Sequence, residues 1–444
     1  MPDARGAQTA CQIACAHRQR PKRRWGGCAV SGILFWGLLV QGGLACISDH
    51  VHTVPANAIR LGTVLPFSGD RAASGVPLER ALRLAVDVVN SANALGGRPL
   101  YLDVRDSHSD DVRGTVSALD LINNNKIPFF IGPEEPKITY QITTAIKSNH
   151  MVNLLPGLTS PMFHDPSTEA GWFRLAPSPN YLACALAKRM LKDGITKANT
   201  VSDPDDYSGT FATMFGRVFT FMGGTLLPGL QLSLQSASFE SVFATIERFA
   251  PDATLLITSP SVASPFLQEW AVRGKIGKWY LGPTLKNPEL VRNVPMGVLE
   301  GFSGISPDLG PNADAFATYF QAKTAVPPLD ASNYYYDAVA LLALAIAEGI
   351  AQEGVVPTPA TLKVHLQNVT SASGQVVSFN ELESGLALVA AGRKIQYSGA
   401  AGSYVLNTLG DAIGNTAAVW QIKADVFQTI GFEQCSDAEV YSTY

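Results

Sequence analysis

The chain has 444 residues, 16% of them charged, with a net charge of −4 and a pI near 6.0. That length is ample for two domains with sizeable cores. The mild acidity excludes the basic face that nucleic-acid binding requires, and no block of like charge marks an interaction tail.

The first fifty residues read as an address. His17, Arg18, Arg20, Lys22, Arg23 and Arg24 form a basic region, and Ala29 to Val40 is an apolar run. A run of about a dozen residues suits a signal-peptide core and is short for a membrane span. Gly42-Gly43-Leu44-Ala45-Cys46 follows. A small residue before a cysteine resembles a bacterial lipobox, with Gly43 where that motif wants Leu, Val or Ile. The expectation is a leader over 1–46, lipidation of Cys46 as the mature N-terminus, and a periplasmic or cell-envelope location. Plain secretion and an uncleaved anchor are the alternatives. Cys11, Cys15 and Cys28 also lie in the leader, which leaves Cys184 and Cys435 for the folded part. A disulfide between them needs Cα atoms within about 7 Å. The sequence leaves a disulfide and two buried free thiols equally open.

After a polar linker (47–58), strand and helix patterns alternate. Leu61 to Leu65 reads as a strand, followed by the glycine loop Pro66 to Gly75. Pro77 to Ala92 carries apolar residues at helical spacing, with Pro at its start and Gly96-Gly97 beyond its end. Leu100 to Val104 is a second strand. Asp110 and Asp111 stand where an N-cap belongs. Ile127 to Ile131 ends in Gly132-Pro133, and a helix through Gln141 to Ser148 leads to the strand Met151 to Leu155. The pattern restarts near Tyr181 with helices over Leu182–Leu191, Phe211–Met222, Phe239–Phe249 and Val262–Arg273. Strands at Ala253–Thr258 and Trp279–Leu281 alternate with them. Two further helices, Ala313–Thr324 and Asn333–Glu348, precede short strands between Ile395 and Ile430. Such alternation predicts parallel sheets covered on both faces. A glycine loop between a strand end and a helix is where open α/β sheets hold small ligands.

The chemistry of catalysis is not written here. The sequence holds no P-loop pattern, no G-x-S-x-G, no H-E-x-x-H and no C-x-x-C, so neither an enzyme nor a cofactor is expected. Asp103, Asp106, Asp110 and Asp111 have the count of a metal cluster but read as a strand end and helix caps. His50 and His52 read as linker residues. Tyr334-Tyr335-Tyr336, Trp270 and Trp279 read as packing aromatics.

Beyond these readings, LPFSGDRAASG, VNSANALGGRPLYL, FFIGP, NLLPGLTSP, WFRLAPS, DPDDYSG, PDATLLI, YLGPTLKNPEL, YYYDAVALLALAI and IQYSGAAGSYVLNTLGD occur in a fixed order. Together they resemble the type I periplasmic solute-binding proteins, specifically the branched-chain amino acid and amide receptors of ABC importers, over nearly all of Ile59 to Phe432. In the last motif, Leu406-Asn407 replace the Phe-Asp of a similar subgroup. The resemblance implies an α/β fold of two Rossmann-like lobes with parallel central sheets, joined by a hinge of about three crossings. It places 59–177 plus 306–397 in lobe 1, 178–305 plus 398–434 in lobe 2, and leaves 435–444 as a tail. It further implies a monomer that closes on a small polar ligand, amino-acid-like or amide-like, and docks on a membrane permease. A ligand would act there by shifting an open/closed equilibrium.

The ligand-binding residues implied are Ser68, Gly69, Ser74, Glu135, Pro136, Gly157, Leu158, Thr159, Tyr207 and Thr284. Gly157 would accept from an ammonium through its carbonyl and Thr159 would donate to a carboxylate, unless Thr159 is a turn or cap residue. Tyr207 would pack on the ligand from lobe 2, unless it is a surface aromatic. Three positions depart from the family pattern. Glu134-Glu135-Pro136-Lys137 stands where a Ser pair takes the ligand carboxylate, and Pro136 has no N–H to give. Thr284 replaces the acid that neutralises an ammonium. Ser74 replaces a bulky residue and leaves room. Glu134 and Glu135 are candidates to supply the missing acid from the other lobe, or else are solvated loop residues. Three functions remain in competition: a receptor serving an ABC importer, a sensory ligand-binding lipoprotein without transport, and an envelope lipoprotein with a degenerate pocket.

Overall fold

Short apolar runs set the sheets. Phe129–Ile131 and Ala253–Ile257 are buried at every position, which only a strand covered on both faces achieves. The structure, a computed structural model, describes residues 54–157, 171–233, 238–274, 277–406, 412 and 416–441. The leader with Cys46, His50 and His52, together with Leu158 and Thr159, lies outside the described residues.

The first sheet contains β1 (Ile59–Leu65), β2 (Leu100–Asp106), β3 (Phe129–Ile131), β4 (Val152–Leu155) and β5 (Trp172–Arg174) in the order β2-β1-β3-β4-β5. Every pairing is parallel, and Leu61 stands between Leu102 and Phe129. The second sheet is built on β6 (Lys197–Ser202), β7 (Thr225–Leu226), β8 (Leu230–Gln231), β9 (Ala253–Ile257), β10 (Trp279–Leu281) and β11 (Ser303–Pro307). A small third sheet holds β12 (Gln375–Ser378), β13 (Ile395–Gly399) and β14 (Gly402–Ser403). The chain then returns to the second sheet as β15 (Ala417–Lys423), antiparallel to β11, and β16 (Val426–Glu433).

Helices cover both faces. In lobe 1 these are α1 (Ala72–Ala92), α2 (Asp111–Leu119) and α3 (Pro136–Ser148). In lobe 2 they are α4 (Pro179–Lys192), α5 (Asp206–Phe221), α6 (Glu240–Phe249), α7 (Pro260–Val272) and α8 (Pro288–Asn293). Lobe 1 then gains α9 (Ala313–Thr324), α10 (Asp330–Glu353), α11 (Pro359–Val369) and α12 (Leu382–Ala390), and α13 (Asp437–Tyr441) ends the described chain. Helix α10 is long and apolar enough to cross a membrane by composition, with a mean hydropathy of 1.3. It is instead a core helix, buried from Tyr334 through Ala347 and packed on α1, α11 and α12. A helix that is apolar all round belongs inside such a core.

Several elements differ from the sequence reading. Helix α1 starts at Ala72, five residues before Pro77, which sits inside it. A Cβ on Gly75 would stand 2.1 Å from the Pro66 carbonyl oxygen, so the glycine lets this first turn lie on the loop. Strand β6 is a full strand despite its polar residues, because Thr254 Oγ1 donates to Asn199 Oδ1 at 2.7 Å inside the sheet. Strand β11 keeps Ser306 and Pro307 in the second sheet. Residues 398–434 are not all in lobe 2: Ala400, Ala401, Tyr404 and Leu406 lie in the first core. Nor are residues 435–441 a loose tail. Cys435 is bonded to Cys184 of α4, with the Cα atoms 6.3 Å apart, and Lys188 holds Glu439 at 2.6 Å.

The crossings position the site. The chain leaves lobe 1 after β5, re-enters it after β11, and returns to lobe 2 between Leu406 and β15. The Ala412 N–H donates to the Arg174 carbonyl at 2.9 Å, and the Asp308 N–H to the Thr416 carbonyl at 3.0 Å. All three crossings therefore run past the C-terminal ends of β5 and β11. Those are the strand edges at which open α/β sheets bind ligands.

Candidate functional site

On lobe 1, the wall begins with the glycine loop. The Asp106 carboxylate, at the end of β2, accepts from the Phe67 N–H (2.9 Å), Ser68 Oγ (2.8 Å) and the His108 N–H (2.7 Å). Burial pushes this carboxyl up, but the bonds from His108, Ser68 and Phe67 outweigh it and hold the group below the usual range. Ser68 Oγ also lies 2.8 Å from His108 Nδ1. Gly69 has φ +82°, and a Cβ there would stand 2.5 Å from the His108 carbonyl oxygen. Ser68 and Gly69 are thus committed to joining two neighbouring loops, with Gly69 exposed at the rim.

Deeper in, the β3–α3 turn carries the departures noted in the sequence. Glu134 is half-buried and Glu135 is only 2% exposed, so Glu135 is no solvated loop residue. Glu135 occupies the N-cap position of α3, with Pro136 at the first helical position. Ser107 Oγ donates to Glu135 Oε1 at 2.6 Å, while Glu135 Oε2 is buried without a partner among the described residues. Ser74 Oγ donates to Glu134 Oε2 at 3.1 Å. Burial and the neighbouring Glu135 push the Glu134 carboxyl up, against smaller opposing effects of Ser74 and Arg71.

The third contributor comes from α10. Tyr335 is fully buried, yet its hydroxyl has no partner among the described residues. A Cβ on Gly132 would stand 3.4 Å from that hydroxyl, and one on Gly157 3.5 Å from the Tyr335 ring and 3.8 Å from Glu134 Cγ. Thr63 Oγ1, beneath Gly132, is likewise buried and unpartnered. The structure therefore brings together Ser74, Glu134, Glu135 and Gly157 from the sequence reading and adds Thr63 and Tyr335. The sequence takes Tyr335 for packing; its signal was a phenol in a strongly apolar helix. Pro136 is half-buried at the edge of the group.

On lobe 2, Asp203 directly follows β6, is 5% exposed, and accepts from the Ser259 N–H at 3.3 Å. Burial pushes its carboxyl up, and Asp205 adds to this. Asp205 caps α5 through the Ser208 N–H at 2.9 Å. Tyr207, in the first turn of α5, leans on the second core, with its ring 6.2 Å from that of Phe211. Thr284 is exposed on the turn after β10, and its Oγ1 donates to the Thr258 carbonyl at 2.8 Å. No carboxylate stands at that position, so the acid-bearing wall is on lobe 1 as well as at Asp203. Among the described residues no group of His, Cys, Asp or Glu is placed to hold a metal. Asp103 pairs with Arg60 at 2.7 Å and Asp110 caps α2.

Comparison with known proteins agrees with this architecture. Residues 58–407 match the family described as periplasmic binding protein. A chemotactic signal transduction system substrate-binding protein, BasB of Halobacterium salinarum, is 22% identical over 364 residues, 78% of this chain and 82% of that one. The structure of a leucine-binding protein from Thermotoga maritima superposes with a TM-score of 0.66 at 18% identity, covering 85% of this chain and 99% of the other. A solute-binding protein of an ABC transporter from R. palustris, in complex with benzoate, gives a TM-score of 0.63 at 19% identity, with 86% and 98% covered.

Proposed function

Because the chain belongs to the periplasmic binding protein family, we propose that it is an extracytoplasmic receptor that captures a small amino-acid-like or amide-like ligand between its lobes and delivers it to an ABC importer. The observation that carries this reading is the set of crossings at the C-terminal edges of both sheets. Hinging there swings Ser74, Glu134 and Gly157 of one lobe against Asp203 and Tyr207 of the other. Closure is then driven by the ligand's differential affinity for the closed form. Relatives of this kind are binding proteins rather than enzymes. Membrane attachment through Cys46 keeps the receptor beside its permease, and Cys46→Ala should move it from the membrane fraction to the soluble one.

The test is small-angle scattering of the purified protein, with and without amino acids, amides, amines and aromatic acids, alongside thermal melts. A true ligand shrinks the radius of gyration and raises Tm by linkage. If no compound does either, the receptor reading fails. The similarity to BasB favours one second reading, a sensor that signals through a partner. Under that reading ligand-driven closure persists, but deleting the gene leaves uptake of the ligand unchanged.

A further inference from the structure

We propose that the ligand brings a cationic group, a primary ammonium or a guanidinium, to Glu134, with the Tyr335 and Thr63 hydroxyls as neutral acceptors. This deepens the receptor reading and rests on it. A helix N-terminus such as that of α3 ordinarily calls for an anion. Here a carboxylate of the chain already stands at the N-cap, although it makes no capping hydrogen bond to the helix. Glu135 is buried at the N-cap, and Pro136 removes one N–H from the first turn. An anionic ligand group arriving there would face the carboxylates of Glu134 and Glu135.

The unused groups point the same way. Glu135 Oε2, Tyr335 Oη and Thr63 Oγ1 are buried without partners among the described residues, and each can accept a hydrogen bond from N–H. Orphaned buried polar atoms are costly, and an ammonium or guanidinium supplies the missing donors together with the missing charge. The charged and titratable groups facing Glu134 are Glu135 on its own turn, Arg71 from the glycine loop and the Tyr335 phenol from α10. Only Arg71 is cationic; it lies on the exposed rim, and its effect on Glu134 is smaller than those of burial and Glu135. Burial and Glu135 push the Glu134 carboxyl up, and a cation beside it would act in the opposite direction.

Isothermal titration of the purified protein with putrescine, agmatine and benzylamine, with leucine as a zwitterion that also carries a primary ammonium, and with benzoate as the anionic control, tests this. The expected result is binding of at least one cation, tighter at pH 8 than at pH 5. Glu134→Gln should weaken it tenfold or more and Tyr335→Phe severalfold, while Glu134→Gln raises the ligand-free Tm at pH 8. Binding of benzoate alone, or binding of a cation or of leucine that ignores Glu134→Gln, overturns the inference and leaves the receptor reading standing. No binding by any probe overturns both.

Discussion

Two carboxylates, one buried and one half-buried, show how differently the same group is used. Asp337 of α10 is fully buried and accepts four hydrogen bonds, from Tyr397 Oη (2.7 Å), the Ala400 N–H (2.8 Å), the Ala401 N–H (2.8 Å) and Tyr404 Oη (2.6 Å). Gly399 is required beside it, since a Cβ there would stand 2.4 Å from the carboxylate. Glu134 has one side-chain donor, Ser74, among the described residues. The first carboxylate is structural and satisfied; the second is left open. Even so, burial pushes the Asp337 carboxyl up to about 6 from an ordinary 3.8. The folded chain thus binds this proton more tightly than the unfolded one. The stability it contributes is complete below about 3.8 and is lost as pH rises through about 6. Urea unfolding of wild type and Asp337→Asn between pH 4 and 7 checks this. The wild-type curve should fall more steeply with pH over that range, and parallel curves would refute it.

At the scale of elements, local pattern and distant packing part company. The alternation of strands and helices was legible because parallel strands are unbroken apolar runs and the helices are punctuated by Pro and Gly. The start of α1 was not: Pro77 looks like a first-turn residue, and only the lie of Gly75 on Pro66 reveals the earlier start. Strand β6 was obscured because the Asn199 side-chain oxygen takes its partner, Thr254, from another strand. The segment 397–404 reads as one motif and Tyr334–Asp337 as another, yet they are two halves of one hydrogen-bonded knot. The candidate site follows the same rule. Its loop residues were visible as departures from a family pattern. The depth of Glu135 was not, because it goes with a hydrogen bond from Ser107, which lies on a different loop.

For the molecule as a whole, hinge motion demands rigid lobes and soft crossings. The disulfide between Cys184 and Cys435 spans 251 residues of sequence but lies entirely within lobe 2. It fastens the end of the chain, with β16 behind it, to α4, aided by Lys192–Glu433 at 2.5 Å and Lys188–Glu439 at 2.6 Å. Such a bond accords with an oxidising, extracytoplasmic setting. Closing so long a loop restricts the unfolded chain by up to ~5 kcal/mol, of which ~2–4 kcal/mol is typically realised. Neither half of the bond lies in a crossing, so it stiffens the lobe and leaves the hinge free. Replacing both cysteines with Ala should therefore lower the urea midpoint by an amount equivalent to ~2–4 kcal/mol, while ligand-driven compaction in scattering persists. If the double variant keeps wild-type stability, the bond is not formed in solution. If it melts normally but no longer closes, the C-terminal return takes part in the hinge rather than in lobe 2 alone.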